Sequence, residues 1–190
     1  MPQKLLVIVA STRPGRIGRA FGDWMVDYAR QHSDFEVEMA DLAEIALPLF
    51  DEPNHPRLGQ YTHEHTKAWS RTVDAADAFV IVMPEYNYSF NAALKNALDY
   101  LSAEWRGKPV GFLSYGGVSG GTRAVEALKP VVSVLGMVTP LPAIVVPFAP
   151  RFVGDDGTVT LPEEVSGAGA QMLAELARLG GLLRPAGGAE

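Results

Sequence analysis

The chain predicts an α/β architecture: a doubly wound, five-stranded parallel sheet with helices on both faces. Three observations carry that expectation. The first strand, residues 5–10, is a continuous apolar run, the pattern of a parallel strand covered on both sides. Helical periods alternate with such runs from one end of the chain to the other, giving five strands and five helices. No internal repeat or linker interrupts the alternation, so residues 1–183 read as one domain and the small, polar tail 184–190 as a segment that frays.

The elements follow in order. After the first strand, Ile17, Ala20, Phe21, Trp24, Met25, Tyr28 and Ala29 keep the i, i+3, i+4, i+7 spacing of an amphipathic helix. Residues 35–39 alternate apolar positions with Glu36 and Glu38, which predicts a strand near a sheet edge. The Pro-, Asn- and Asp-rich stretch 48–60 is long for a connector and predicts a flap. A helix over 61–76 and a buried strand over 78–83 come next. Ser89 is placed to cap a helix whose inward face is Phe90, Ala93, Leu94, Ala97, Leu98 and Leu101. A strand over 110–113, a helix marked by Val125, Leu128, Val132 and Leu135, and a strand over 143–146 follow. The last helix spans 162–179 and is expected to stop at Gly180 and Gly181.

Composition removes several classes of function. The 190 residues are 47% hydrophobic and 20% charged, ordinary for a globular domain. A chain of this length buries about 70% of its unfolded surface. The net charge is −6 with no basic run, which argues against a nucleic-acid surface. With no cysteine, disulfides, iron–sulfur ligation and thiol catalysis are excluded. Residues 130–150 carry no charge but hold five prolines, too many for a spanning helix, and the segment before the first strand is too short for a signal peptide. A cytoplasmic protein without a membrane partner is the expectation. His63 and His65 are two apart and diverge by about 200° if both are helical, so no shared metal is predicted.

In doubly wound sheets ligands bind beyond the carboxyl ends of the strands, where the strand order switches. Three loops lie there. The first, Ser11, Thr12, Arg13, Pro14, Gly15, Arg16, Ile17 and Gly18, runs from an apolar strand into a helix. Free N–H groups at the positive end of the helix dipole, two hydroxyls and two guanidiniums make it a phosphate cradle. It lacks the lysine of a P-loop and holds only part of a dinucleotide fingerprint, although Asp41 falls where a ribose-binding acid would. The second loop, Pro84, Glu85, Tyr86, Asn87, Tyr88 and Ser89, offers flat aromatic faces and an amide to set against a heterocycle. The third, Ser114, Tyr115, Gly116, Gly117, Val118, Ser119, Gly120 and Gly121, lets backbone approach a ligand closely. The N–H groups of Gly116 and Gly117 are the candidates for tuning a ring that gains negative charge. Together the three loops describe a mononucleotide with a flat ring, and flavin mononucleotide (FMN) satisfies all of them.

The chain resembles the NAD(P)H-dependent FMN reductases, flavodoxin-like reductases of quinones, chromate and azo compounds, over about residues 4–180. The most specific matches are Pro84-Glu85-Tyr86-Asn87 with the helix that follows, a first loop of G-S-x-R type at Ser11, Thr12 and Arg13, and the third loop at Ser114, Gly116 and Gly117. At Gly15-Arg16-Ile17-Gly18 the chain departs from the family's usual Ser-Asn pair. The resemblance implies a flavodoxin-like fold, non-covalent FMN, ping-pong electron transfer from NAD(P)H to a small-molecule acceptor, and a homodimer or homotetramer. It implies no catalytic acid or base. An electron carrier or flavin-binding regulatory module without turnover is the alternative, opposed by the arginines of the first loop. The helix that follows Ser89, together with Tyr100 and Trp105, shows apolar surface beyond one stripe, which predicts an interface there.

Overall fold

The computed structural model describes residues 2–183, so the tail at 184–190 lies outside the described residues. Five parallel strands, β1 (Lys4–Val9), β2 (Glu36–Asp41), β3 (Ala78–Pro84), β4 (Val110–Tyr115) and β5 (Ile144–Val146), form one sheet in the order β2-β1-β3-β4-β5. The helices are α1 (Gly18–His32), α2 (Leu42–Ile45), α3 (Glu64–Asp74), α4 (Ala92–Asp99), α5 (Thr122–Val134) and α6 (Glu163–Leu183). The chain therefore steps outward from β1 to β2, then returns across β1 to lay down β3. That reversal opens the crevice at the carboxyl ends of β1 and β3. β2 is an edge strand, as its alternating charges predict.

Side-chain alternation splits the core into two layers. Leu5, Val7, Val80, Val82 and Leu113 pack with Phe21 and Met25 of α1 and with Met172, Leu173 and Leu176 of α6. Leu6, Ile8, Phe79, Ile81 and Phe112 face the other way, against Trp69 of α3, Leu94 and Leu98 of α4, and Leu128 of α5. Each central strand is covered on both sides, which is why its sequence is apolar without alternation.

Four local readings change, and Pro130 stays within the helix that the sequence expects around it. Ser89 does not cap α4; it closes a tight turn by exchanging backbone hydrogen bonds with Tyr86, and Asn91 stands at the cap. Gly180 and Gly181 lie inside α6, because Gln3 packs where a Cβ on Gly180 would be, 3.0 Å from its Oε1. Pro130 lies inside α5, on its exposed side. Ser114 and Tyr115 belong to β4, not to the loop after it. The 48–60 stretch is no flap over the crevice. Asn96 of α4 donates to Pro48 O (2.7 Å) and accepts from Phe50 N (2.9 Å), while Glu52 accepts from Thr62 N and His63 N ahead of α3.

Candidate functional site

A cavity of about 440 Å³ opens at the carboxyl ends of β1, β3, β4 and β5. The β1–α1 turn contributes Arg13, Arg16 and Ile17, and the end of β3 contributes Pro84, Glu85 and Tyr86. Tyr115, Gly116 and Gly117 come from β4, and Phe148, Ala149, Pro150 and Arg151 from the segment after β5. Ser11, Thr12, Gly18, Asn87 and Ser114 do not line it. Thr12 faces a separate recess beside Leu42 and Ala92.

The β1–α1 turn owes its shape to small residues. Ser11 is fully buried, its hydroxyl against the Tyr115 phenol. Gly18 opens α1 in contact with both, since a Cβ there would sit 2.1 Å from Ser11 Oγ and 2.3 Å from the Tyr115 hydroxyl. The first N–H groups of α1 have no acceptor within the helix and point their partial positive charge at the crevice. The two arginines of the turn differ. Arg16 donates to Ser11 O (2.9 Å) and forms an ion pair at 2.6 Å with Asp41, whose side chain is almost wholly buried. Asp41 also accepts from Ala43 N at the cap of α2 and lies 3.4 Å from Arg19. It is thus a structural partner of the turn rather than a free ribose acceptor. Arg13 is exposed and, among the described residues, bonds only to Pro14 O (3.1 Å), so its charge is available to a ligand.

The second loop is anchored at its base and strained at its tip. Glu85 N donates to Tyr115 O (3.0 Å), continuing the β3–β4 ladder for one residue. The Glu85 carboxylate is not solvated. It pairs with Arg123 Nη1 at 2.9 Å and accepts from Arg123 N at 3.1 Å. Burial works to raise this carboxyl, but hydrogen bonds from Ser119 and Arg123 outweigh it and hold it below the usual glutamate range. Beyond Glu85, Asn87 (φ 49°) and Tyr88 (φ 68°) are both left-handed, the arrangement of a two-residue hairpin turn. For a ring-bearing residue such as Tyr88 this conformation costs about 1–3 kcal/mol.

The third loop corrects one expectation. Gly116 N donates to Val146 O (3.3 Å), and the carbonyls of Gly116 and Gly117 accept from Ala149 N (3.2 Å) and Phe148 N (2.9 Å). Gly116 therefore has no free donor to offer a ligand. Among the described residues no hydrogen bond uses Gly117 N–H, which remains the loop's donor. Ser114 is buried, its hydroxyl closing the loop onto Gly120 O at 2.9 Å. Tyr115 stacks on Phe21 at 5.1 Å, and burial pushes its phenol up to about 12, so it stays neutral near pH 7.

Sequence reasoning missed the fourth wall. Phe148, left-handed at φ 52°, turns the chain beneath the Gly116–Gly117 backbone and carries the Arg151 guanidinium on its ring at 4.6 Å. The strand-end rule that selected three loops applies equally after β5 and would have found it. Arg123 was missed as well, because its partners lie 35 and 38 residues away. His63 also departs from expectation. It precedes α3 in extended conformation, so its ring stacks on His65 at 5.1 Å beside Asp51 instead of diverging. Among the described residues no group of three histidine, aspartate or glutamate side chains is arranged to hold a metal.

A cationic turn at one end of a cavity and an aromatic, glycine-lined wall at the other match the shape of a flavin mononucleotide. The family model for NADPH-dependent FMN reductase matches residues 3–151. The chain belongs to that family. FMN is the cofactor this membership assigns, and the activity is that of an FMN-dependent NAD(P)H oxidoreductase. An NAD(P)H-dependent FMN reductase of Schizosaccharomyces pombe is 43% identical over 148 residues, covering 76% of this chain and 74% of its own. An FMN-dependent NADPH-azoreductase of Staphylococcus saprophyticus is 31% identical over 72% of this chain and 73% of its own. Among solved structures, the flavoenzyme NAD(P)H:(acceptor) oxidoreductase FerB from Paracoccus denitrificans superposes with a TM-score of 0.73. It is 22% identical and covers 95% of this chain and 98% of its own, a likeness in flavodoxin-like fold. The residues present suit FMN. Arg13 and the start of α1 offer charge and N–H donors to a phosphate, and Pro84, Tyr86 and Phe148 offer apolar surface to a ring.

Proposed function

We propose that the chain, as one FMN-binding domain over residues 1–183, takes hydride from NAD(P)H and reduces quinones, flavins or azo compounds in a ping-pong cycle. The observation that carries this reading is the cavity itself, which Arg13 and Arg16 line from the β1–α1 turn and Pro84, Tyr86, Tyr115 and Phe148, with Arg151, line from the other strand ends. These residues would hold FMN, which would supply hydride acceptance from NAD(P)H and two-electron transfer to the acceptor. Of the first-loop residues Ser11, Thr12, Arg13, Arg16, Ile17 and Gly18, those on the cavity are Arg13, Arg16 and Ile17, so Arg13 would meet the phosphate while the buried Ser11 and Gly18 shape the turn and Thr12 faces away. Pro84, Glu85 and Tyr86 form one side of the ring site and Tyr115, Gly116 and Gly117 the other, with Asn87 and Ser114 shaping the loops behind them. In this reading the walls hold the ring with one face open, and Gly117 N–H and Arg151 on those walls supply positive potential.

No acid–base side chain is needed, and the groups present suit that. Glu85 is tied to Arg123, and Tyr115 holds its proton. Because one face is open, nicotinamide and acceptor occupy the same pocket in turn. A cytoplasmic location fits a chain in which, among the described residues, no helix is long and apolar enough to cross a membrane. The test has two parts. Purified protein should be yellow with stoichiometric FMN, and initial rates with NADPH and a quinone should give parallel double-reciprocal lines. Intersecting lines would mean both substrates bind together and would overturn the shared pocket. An absence of NAD(P)H turnover by the FMN-loaded protein would favour the carrier.

A further inference from the structure

The second loop projects from the sheet as a finger with two anchors. At its base, Glu85 is fixed by the Tyr115 carbonyl. At its far end, Asn91 is buried and donates to Ala10 O at 2.6 Å, tying the finger to the end of β1. Between these anchors the chain turns through Tyr86, Asn87, Tyr88 and Ser89 with two bonds of its own, Tyr86 N to Ser89 O (2.8 Å) and Ser89 N to Tyr86 O (3.0 Å). Tyr88 is 70% exposed, and its backbone sits in a conformation that its side chain disfavours. Something outside the turn must make that conformation worth keeping.

Arg123, in the first turn of α5, does so. Its guanidinium lies over the Tyr88 ring at 4.1 Å while bonding the Glu85 carboxylate at 2.9 Å. It thus reaches the turn's tip from another element. The pairing of Arg123 with Glu85 leaves the guanidinium plane free to cover an aromatic face, a geometry that a lysine does not reproduce. Tyr86, on the same turn, lines the mouth of the cavity.

We propose that Arg123 is a positioning residue: by holding Glu85 and Tyr88 together it fixes the 86–89 turn, and with it the aromatic rim against which the electron acceptor is selected. This rests on the reading of the cavity as an FMN site, so the test has one readout that does not depend on cofactor. In the apo protein, the Ser89 amide should exchange hydrogen about 2- to 5-fold faster in Arg123→Ala than in wild type, the loss expected for one exposed cation–π contact. Tyr88→Leu should produce the same change, and the double variant no more than either alone. Arg123→Lys should recover only part of the protection. In the FMN-loaded enzyme, the ratio of kcat/KM for a compact quinone to that for a bulky azo dye should shift several-fold in Arg123→Ala, with FMN content retained. Unchanged Ser89 exchange, additive effects in the double variant, an unchanged acceptor ratio, or loss of FMN from Arg123→Ala would each overturn the proposal. If wild-type protein takes up no FMN, the functional reading fails, while the exchange result still decides whether Arg123 holds the turn.

Discussion

Two arginines three residues apart in one turn have opposite duties. Arg13 is free to meet an anion, so Arg13→Ala should cost about 1.5–3 kcal/mol of FMN binding, roughly a 10- to 150-fold loss in affinity by fluorescence titration. Arg16 neutralises the buried Asp41, which once Arg16 is removed keeps the Ala43 N–H at 3.0 Å and, for a cation, Arg19 at 3.4 Å. Arg16→Ala should therefore appear first as a loss of about 1–3 kcal/mol in urea unfolding of the apo protein. FMN affinity falling more in Arg16→Ala than in Arg13→Ala would reverse the assignment. Gly18 is constrained by its neighbours rather than by any contact to the cavity. Gly18→Ala drives a methyl into Ser11 Oγ and the Tyr115 hydroxyl, so stability and FMN binding should fall together, stability by about 1–3 kcal/mol.

The staple between the β3 end and α5 has a pH signature. The Glu85 carboxyl is held below its ordinary value of 4.5, so the ionised form favours the folded state. Its stabilisation is complete above the unfolded carboxyl range and is lost as pH falls through the lowered folded value. From neutral pH down to about 5 the staple should hold. Glu85→Gln should unfold at lower urea than wild type at pH 7, and the gap should narrow only below the ordinary glutamate range. A gap that widens on acidification would contradict the ion pair. The segment after β5 is the matching element on the other wall, since its Phe148 and Ala149 amides consume the carbonyls that Gly117 and Gly116 would otherwise present.

For the molecule as a whole, the exposed apolar surface beside α4 is not where Tyr100 and Trp105 lie. Tyr100 and Trp105 do not offer surface to a partner. They are 0% and 1% exposed, with the Tyr100 hydroxyl donating to Asp51 (2.9 Å) and the Trp105 indole to Leu98 O (3.2 Å). The apolar surface beside α4 comes instead from the 48–60 segment, where Leu49 is 84% and Phe50 42% exposed. We still expect a homodimer or homotetramer through this side of α4, with Leu49→Asp shifting the mass by light scattering toward a monomer. A monomeric wild type at micromolar concentration would remove the expectation.

The sequence by itself determined the parallel sheet, because buried central strands must be apolar on both faces and Leu5–Val9 and Ala78–Met83 are. It also determined the three loops to read and the flat-ring cofactor, since hydroxyls, arginines, aromatics and glycines at strand ends carry their chemistry wherever the chain goes. Tertiary structure alone decided which of those groups are free. Asp41 reaches Arg16 across 25 residues, and Arg123 reaches Glu85 across 38. Val146 O takes the N–H of Gly116 from the neighbouring strand. Local sequence shows that a donor or a charge exists, but its partner is set by strand order and crossover, which bring distant segments within hydrogen-bond reach. The strand-end rule reaches Phe148 and Arg151 at the end of β5, but that they share one cavity with Gly116 and Gly117 was decided by β5 lying beside β4, which no local motif records.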